Sequence, residues 1–511
     1  MSPREDQLQA KVQEQERELT RLRQENALLR QKVDLLSRKI FGCSSEKLSP
    51  DQLQLLLELA GATEEPKAEE PAGLEPVIVL PRARKERKPR LPEHLPVIEE
   101  VIDPEPVKAQ PELWRCIGQE VSEQLDYEPA RFICRRLIRR TFVHRVDKDL
   151  APLTAPLPPG LQERCLAAPG LLAQVVVAKY ADHLPLYRQE HIYRQRHGVA
   201  VPRQTLGRWI DLVADWLKPI YNRLKKDLFA CGYVQIDETP VRYLDPGHGS
   251  ARQGYFWTAH RPGGEIIYCW ETSRAAACLD NLLPVNFAGT VQCDGYAAYD
   301  AVARQRGGLI VLAGCWAHVR RKFFEAKESA PRTGGWILRQ IQHLYRIEAR
   351  LREKHCSAKL REVIRAQESR PIVERIGKAC VRLKQGNRHL PQSPLGLALT
   401  YTLNQWEGLL TFLSEGRVEI DNNLVENAIR PTAVGKKNWL FIGEAEAGER
   451  SAILFTIIEN CRRLEINPYE YLRDVLTRLP RMTNQQLSTV MPSAWAREQT
   501  EASRSSVKLA S

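Results

Sequence analysis

The chain has 511 residues, 43% hydrophobic and 27% charged, a length for roughly two to four ordinary domains and a composition that excludes a wholly disordered chain. Its 75 lysines and arginines against 63 aspartates and glutamates leave a formal charge of +12, which favours a polyanionic partner such as nucleic acid. The twelve cysteines contain no C-x-x-C pair, which argues against a ribbon-type zinc site, and their scatter through apolar stretches is that of reduced core thiols in a cytoplasmic protein. The opening MSPREDQLQA has no signal core, and the apolar patch Leu171–Ala178 is too short to span a membrane.

From Leu8 to Ile40 the apolar spacing alternates four and three residues. Val12, Leu19, Asn26, Val33 and Ile40 take the a positions of a coiled coil and Leu8, Gln15, Leu22, Leu29 and Leu36 the d positions, with a single asparagine in an a layer to set register in a parallel dimer. The alternative is an amphipathic helix folded back on its own chain. Residues 61–81 are rich in Glu, Pro and Ala, and Arg82–Arg90 carries six cations and one anion. This is a linker ending in a basic arm for phosphates, or a solvated charge run. Leu91–Val146 reads as a small β module, in which Arg131–Arg145 alternates cations with apolar residues and makes one strand face basic.

After the proline-rich break at Pro152–Pro159, helices are expected at Leu171–Tyr180 and Leu186–Arg196, a turn at Gly198, and a third helix opened by Pro202 and running through Ile210. The pattern is that of a helix-turn-helix, which would turn Arg203, Gln204, Thr205 and Arg208 toward a major groove. Leu206, Trp209 and Ile210 would be core there, and equally in a purely structural three-helix unit.

Between Cys231 and His318 the pattern becomes extended. Gly232–Asp237, Gly254–His260 and Glu265–Trp270 form a predicted antiparallel meander; helices at Arg274–Leu283 and near Tyr299–Arg306 alternate with strands at Gly289–Gly295 and Gly308–Gly314. The order βββαβαβ is that of the ribonuclease H-like fold. Its first and fourth strands are neighbours, so Asp237 and Asp294 would leave one sheet edge together, where two carboxylates repel unless a cation separates them. Two Mg2+ ions about 3.5–4 Å apart on hard oxygen ligands can activate a water or hydroxyl and stabilise the leaving oxygen in an in-line phosphodiester displacement. Either aspartate alone is also an ordinary turn residue. A third acid should follow on a helix. Beyond a helix-rich stretch from Val319 to Ser414, Asn423 can cap a helix that carries Glu426 in its first turn, and the same spacing fits a capping box.

The motifs Ile236-Asp237-Glu238-Thr239, Cys293-Asp294-Gly295-Tyr296, Cys315-Trp316-Ala317-His318 and Ile420-Asp421-Asn422-Asn423-Leu424-Val425-Glu426, followed by Lys436-Lys437-Asn438-Trp439, resemble those of the insertion-sequence-66 family of bacterial DDE transposases. Phe41–Leu48, Val177–Arg188 and Asn467–Leu472 are similar to that family too, so the resemblance covers nearly the whole chain. It implies Asp237, Asp294 and Glu426 as catalytic, metal-binding acids for two Mg2+ ions, with Mn2+ as a substitute. Glu238 should point to the opposite face of its strand and Asp421 should sit in the turn before the helix. Cys315 and His318 form a C-x-x-H pattern two ligands short of a zinc site, and are expected to pack beside the acids or support them from outside. Arg430, one turn past Glu426, would bridge to it or bind a phosphate. Lys436, Lys437 and Trp439 look like a DNA-contacting loop, although Trp439 fits a core position as well. Many members of the family carry a cysteine-rich zinc segment ahead of the helix-turn-helix. Here only Cys116 and Cys134, with His94 and His144 at non-standard spacing, stand in its place, so this module is expected to lack zinc and rely on its basic strand.

The expected architecture is multidomain α+β: a coiled coil (1–41), a linker with basic arm (42–90), a degenerate zinc-binding-like β module (91–150), a helix-turn-helix region (151–225), a ribonuclease H-like catalytic domain (226–318 and 416–445) interrupted by a helical insertion (319–415), a C-terminal helical element (446–485) and a disordered tail (486–511). The expected activity is binding of transposon terminal repeats, then metal-dependent strand cleavage and strand transfer into target DNA. A homodimer through residues 8–40, accessory proteins of the same element and a nucleoid-associated location would accompany it. The alternatives are an inactive dimeric DNA-binding regulator and a nuclease without strand transfer.

Overall fold

The computed structural model describes residues 95–510 apart from 129–130, 146–148, 246, 248 and 387–388. The coiled coil over 1–41, with its dimer contact, and the linker over 42–90 lie outside the described residues. The described chain forms two compact units, one containing 322–336 and 379–401 and the other 95–321, 337–378 and 402–510. The stretch 319–415, expected as one helical insertion, thus contributes to both units. In the smaller unit Ser393 shapes the entry to the Pro394–Asn404 helix, its hydroxyl accepting from the Gly396 N–H at 3.1 Å and donating to the Leu390 carbonyl at 2.6 Å.

In the larger unit the first sheet comprises β1 (Val97–Ile102), β2 (Trp114–Glu128), β3 (Arg131–His144) and β4 (Leu153–Thr154), with β3 parallel to β1 and antiparallel to β2 and β4. Its register corrects the expectation of a free basic face. Arg136 lies between Glu99 of β1 and Glu123 of β2, at 3.2 and 3.1 Å. Arg139 pairs with Glu120, Arg135 with Glu100 at 3.4 Å, and Arg140 with Asp103 at 4.0 Å. A strand that is basic in isolation becomes the middle of a charge-balanced sheet, because opposite charges directly across a ladder meet. Cys116 is in register with Phe142 and Cys134 with Leu125, which separates the two thiols by roughly 26 Å of strand.

Helices follow at Pro169–Tyr180, Leu186–His197 and Arg203–Phe229. Gly198, at φ +66°, closes the second in the left-handed region that favours glycine. The third runs far past Ile210 because Val213, Leu217, Ile220, Leu224 and Leu228 extend its buried stripe, and it carries Pro219 internally.

The second sheet holds β5 (Tyr233–Tyr243), β6 (Arg252–His260), β7 (Ile266–Glu271), β8 (Gly289–Gln292) and β9 (Ile310–Ala313) in the order β7-β6-β5-β8-β9. The first three are antiparallel, and β8 and β9 run parallel to β5. Helices Ala276–Leu282 and Ala297–Gln305 supply the connections. The Ala445–Arg463 helix covers edge strand β7. Thr456 Oγ1 accepts from Tyr268 N at 3.0 Å, and Asn460 bonds both the N–H and the carbonyl of Ile266, at 3.2 and 2.7 Å. Polar side chains thereby satisfy a buried edge that would otherwise leave orphaned backbone groups.

Residues 486–511 were expected as a disordered tail, but a helix occupies Pro492–Ala510. Buried Trp495 anchors it, donating to Asp474 Oδ2 at 2.9 Å and meeting the Tyr471 ring edge-on at 5.7 Å. No helix among the described residues is long and apolar enough to cross a membrane.

Candidate active site

Parallel pairing of β5 with β8 sets Gln235 opposite Gln292. Asp237 lies two residues further on inside β5, which continues to Tyr243 rather than ending at the aspartate, and Asp294 lies two residues past the end of β8. The two glutamines that precede them form a buried polar cluster. Gln235 Nε2 donates to Gln292 Oε1 and to the Asp421 carbonyl, both at 2.9 Å. Gln292 Nε2 donates to the carbonyls of Gly314 and Glu419 at 3.1 and 2.8 Å. The Tyr233 hydroxyl donates to Gln292 Oε1 at 2.7 Å and accepts from the Glu419 N–H at 3.0 Å. These side chains hold segment 419–421 on the sheet, and that segment leads directly into the helix of Glu426.

The acid environment is repulsive. Asp237 is pushed up to about 8, first by burial and then by the carboxylates of Glu238, Asp294 and Glu426; the bond its Oδ1 accepts from the Glu238 N–H at 2.9 Å opposes part of the shift. Glu238 is raised by burial against the opposing pull of Arg274. Its two oxygens accept from Arg274 Nε at 2.7 Å and from the Tyr299 hydroxyl at 3.0 Å. Asp294 Oδ1 accepts from the Tyr296 N–H at 3.0 Å across Gly295, whose φ of +86° favours glycine and where a Cβ would displace the end of the Gln405 side chain. Tyr296 in turn donates its hydroxyl to the Arg274 carbonyl at 3.0 Å and carries the guanidinium 3.9 Å above its ring. Arg274 therefore ties the surroundings of Asp237 to those of Asp294.

Glu426 stands on the Asn423–Trp439 helix. The capping box does not form. Asn423 is the first helical residue and donates its side-chain amide to Asp421 Oδ2 at 3.0 Å, while Asp421 Oδ1 accepts the Asn423 N–H at 3.1 Å. Asp421 is thus the residue that turns the chain into the helix, and Tyr345 secures it through a 2.7 Å bond. The Glu426 carboxylate faces His318 Nε2 at 3.6 Å and Arg321 Nη2 at 3.7 Å. Arg430 is exposed and forms no ion pair with Glu426 among the described residues; Arg321 occupies the place expected for it. Cys315 Sγ, a His318 nitrogen and a Glu426 oxygen lie within 4.8 Å of one another. Asp237, Asp294 and Glu426 make no group of that tightness among the described residues, although Asp294 and Glu426 both act on Asp237.

Of the residues assigned to DNA, Arg203, Gln204 and Arg208 are exposed on the first turns of their helix, Thr205 is half-buried, and Leu206, Trp209 and Ile210 are core. Lys436, Lys437 and Trp439 lie in the last turn of the Asn423–Trp439 helix, which corrects the loop expected there. Lys436 is half-buried and donates to the Pro240 carbonyl at 3.1 Å, Lys437 is exposed, and Trp439 packs partly against the core. Gln235, Gln292, Tyr233, Arg274 and Arg321 were not singled out from sequence. Uncharged polar residues inside apolar strands are the one signal that could have marked the first two.

Comparison with known proteins agrees along the chain. The profile described as Transposase IS66 family matches residues 164–450, and the IS66 C-terminal element matches 456–493. An element described as Transposase C of IS166 homeodomain matches 28–99, upstream of the Arg203 helix and on the stretch expected to be coil and linker. Similar proteins occur in Sinorhizobium fredii (strain NBRC 101917 / NGR234). Uncharacterized protein y4jD is 34% identical over 493 residues, 92% of this chain and 95% of that protein. Uncharacterized protein y4qI is 34% identical over 401 residues, covering 76% and 73%, and uncharacterized protein y4hP is 28% identical over 506 residues, covering 91% and 88%. The chain belongs to the IS66 transposase family, and with it to the divalent-metal-dependent transposases that act on DNA.

Proposed function

We propose that the chain binds the terminal repeats of its element and catalyses strand cleavage and strand transfer at Asp237, Asp294 and Glu426, on a sheet of ribonuclease H-like type. The observation that carries this reading is the buried Asp237 carboxyl, pushed up to about 8 first by burial and then by the three neighbouring carboxylates of Glu238, Asp294 and Glu426. Such a set of hard oxygens is stable in its charged form only with cations among them, which suits two Mg2+ ions, or Mn2+. Bound there, the ions would activate the attacking water or 3′ hydroxyl and neutralise the leaving oxygen. The chain's own part is placement. Gln235 and Gln292 fix the entry to the Glu426 helix against β5, which carries Asp237, and against the end of β8 just before Asp294, and Arg274 fixes the Asp294 turn. The capping box, which would have given Glu426 a purely structural role, is absent, and this further supports the assignment.

DNA would be held by Arg203, Gln204, Thr205 and Arg208 on their helix start, by Arg430, Lys437 and the basic arm Arg82–Arg90, and by the homeodomain-type element over 28–99. Lys436 and Trp439 would frame the same surface from their half-buried positions. A dimer through residues 8–40 would bring two ends together, and accessory proteins of the element would act with it. One assay separates the readings. Purified chain with Mg2+, labelled DNA carrying the terminal repeats and a supercoiled target should give a joined product. Cleavage without joining would indicate a nuclease, and binding without cleavage a regulator.

A further inference from the structure

Cys315 and His318 lie outside the proposed two-aspartate centre, yet their ligand atoms share a space with Glu426 within 4.8 Å. The C-x-x-H spacing alone is two ligands short of a tetrahedral site; the fold supplies one of them, from a helix more than a hundred residues further along the chain. The geometry is close to what a small, borderline-soft divalent cation requires. Tetrahedral zinc with bonds of about 2.0 Å to nitrogen and oxygen and about 2.3 Å to sulfur spaces its ligand atoms by about 3.3–3.6 Å. The His318 Nε2 to Glu426 Oε1 separation is 3.6 Å.

The chemistry of each ligand fits. Cys315 is buried just before the Trp316–Ala326 helix, and the backbone N–H groups of His318 and Asn422 both hydrogen-bond its sulfur. N–H···S bonds of this kind are what stabilise a thiolate ligand from outside the coordination sphere. Without a cation, burial dominates and holds the thiol up at about 12. Glu426 Oε1 is buried without a hydrogen-bond donor, so a cation would satisfy an oxygen the protein leaves unsatisfied. A hard cation such as Mg2+ would not choose a sulfur ligand, which separates this site from the aspartate centre by class of ion.

We infer that Cys315, His318 and Glu426 form a three-ligand site for a zinc-class divalent cation with one coordination position left open. The site shares its carboxylate with the proposed third catalytic acid, and on that reading a zinc-class ion competes with Mg2+ for Glu426 and suppresses cleavage. Binding itself does not rest on that reading.

The test uses Co2+ as the probe on the full-length chain. The expected result is one saturable thiolate-to-cobalt charge-transfer band per chain, displaced by Zn2+ and not by excess Mg2+. Cys315→Ser should abolish the band and His318→Gln should weaken it, with circular dichroism showing that both variants keep the fold. Asp237→Asn should retain it. Absence of any band, or a band that persists in a folded Cys315→Ser chain, would overturn the site. Asp237→Asn that still cleaves DNA would instead remove the proposed catalytic centre and leave the cobalt result standing.

Discussion

Gln235 on β5 and Gln292 on β8, each two residues before a candidate aspartate, are joined side chain to side chain at 2.9 Å across a parallel strand pair. Together with Tyr233 they hold the backbone of Glu419 and Asp421, so the sheet that carries Asp237 and Asp294 also sets where the Glu426 helix begins. Replacing Gln292 by Leu leaves the carbonyls of Gly314 and Glu419 buried without their donor. Each such group costs about 1–3 kcal/mol. The denaturation midpoint of Gln292→Leu should therefore fall clearly, and DNA cleavage should fall further than the loss of folded protein explains. Unchanged stability would show that the amide pair is dispensable.

A second buried device supports the same segment. Arg365 is fully buried, binds both oxygens of fully buried Glu348 at 2.7 and 2.8 Å, and donates to the carbonyls of Phe412 and Glu415. Arg361 bridges Glu348 to Glu419 at 3.0 and 2.9 Å. Arg365→Met leaves the buried Glu348 carboxylate with Arg361 alone and should destabilise by about 3 kcal/mol in chemical denaturation; Arg365→Met with Glu348→Leu should recover part of that loss. Burial raises Glu348, but the two arginines outweigh it and hold the carboxyl below its ordinary value. Its contribution is accordingly present above the unfolded-state value and is lost as pH falls through the lower, folded one.

His260 gives a pH dependence of its own. It is fully buried at the end of β6 and held down to about 3, first by burial and then by the cations of Arg463 and Arg261. Below its ordinary value of 6.5 the unfolded chain takes up a proton that the folded chain refuses, so stability is lost as pH falls from 6.5 toward 3. At a pH of about 5 this amounts to about 2 kcal/mol. His260→Gln should show a shallower fall in denaturation midpoint than the unsubstituted chain over that range. Parallel pH profiles would exclude the histidine as the cause.

Metal addition should reverse the repulsion around Asp237. Its folded-state carboxyl is raised to about 8, so without metal the chain loses stability as pH rises from the ordinary carboxylate range through 8. A bound cation competes with the proton there. Mg2+ should therefore raise the thermal midpoint more above pH 8 than well below it, and chelation should cancel the gain. Asp237→Asn should show little Mg2+ shift at either pH.

Much of the second sheet was legible because its signals are local. Turn residues bracket β5 to β9, and the first and fourth strands pair as their order requires. What was hidden depends on register and on distant chain. The cations of β3 read as a free face until Glu99, Glu120 and Glu123 meet them from two neighbouring strands. Helical spacing offered Arg430 either Glu426 or a phosphate as its partner, and the arginine that faces Glu426 is Arg321, more than a hundred residues earlier. The final helix was masked by a polar sequence whose folding rests on Trp495 and its contact with Asp474. The insertion looked continuous because helical periodicity does not report which helices belong together.

The most direct test of the central claim is Mg2+-dependent strand cleavage of terminal-repeat DNA by the Asp237→Asn, Asp294→Asn and Glu426→Gln chains, with end binding followed in parallel. The account predicts loss of cleavage by at least about a hundredfold in each, with binding largely retained, because positioning and charge stabilisation at these acids supply most of the rate. Cleavage at an undiminished rate by any one of them would contradict the assignment of that residue, and by all three would contradict the active site itself.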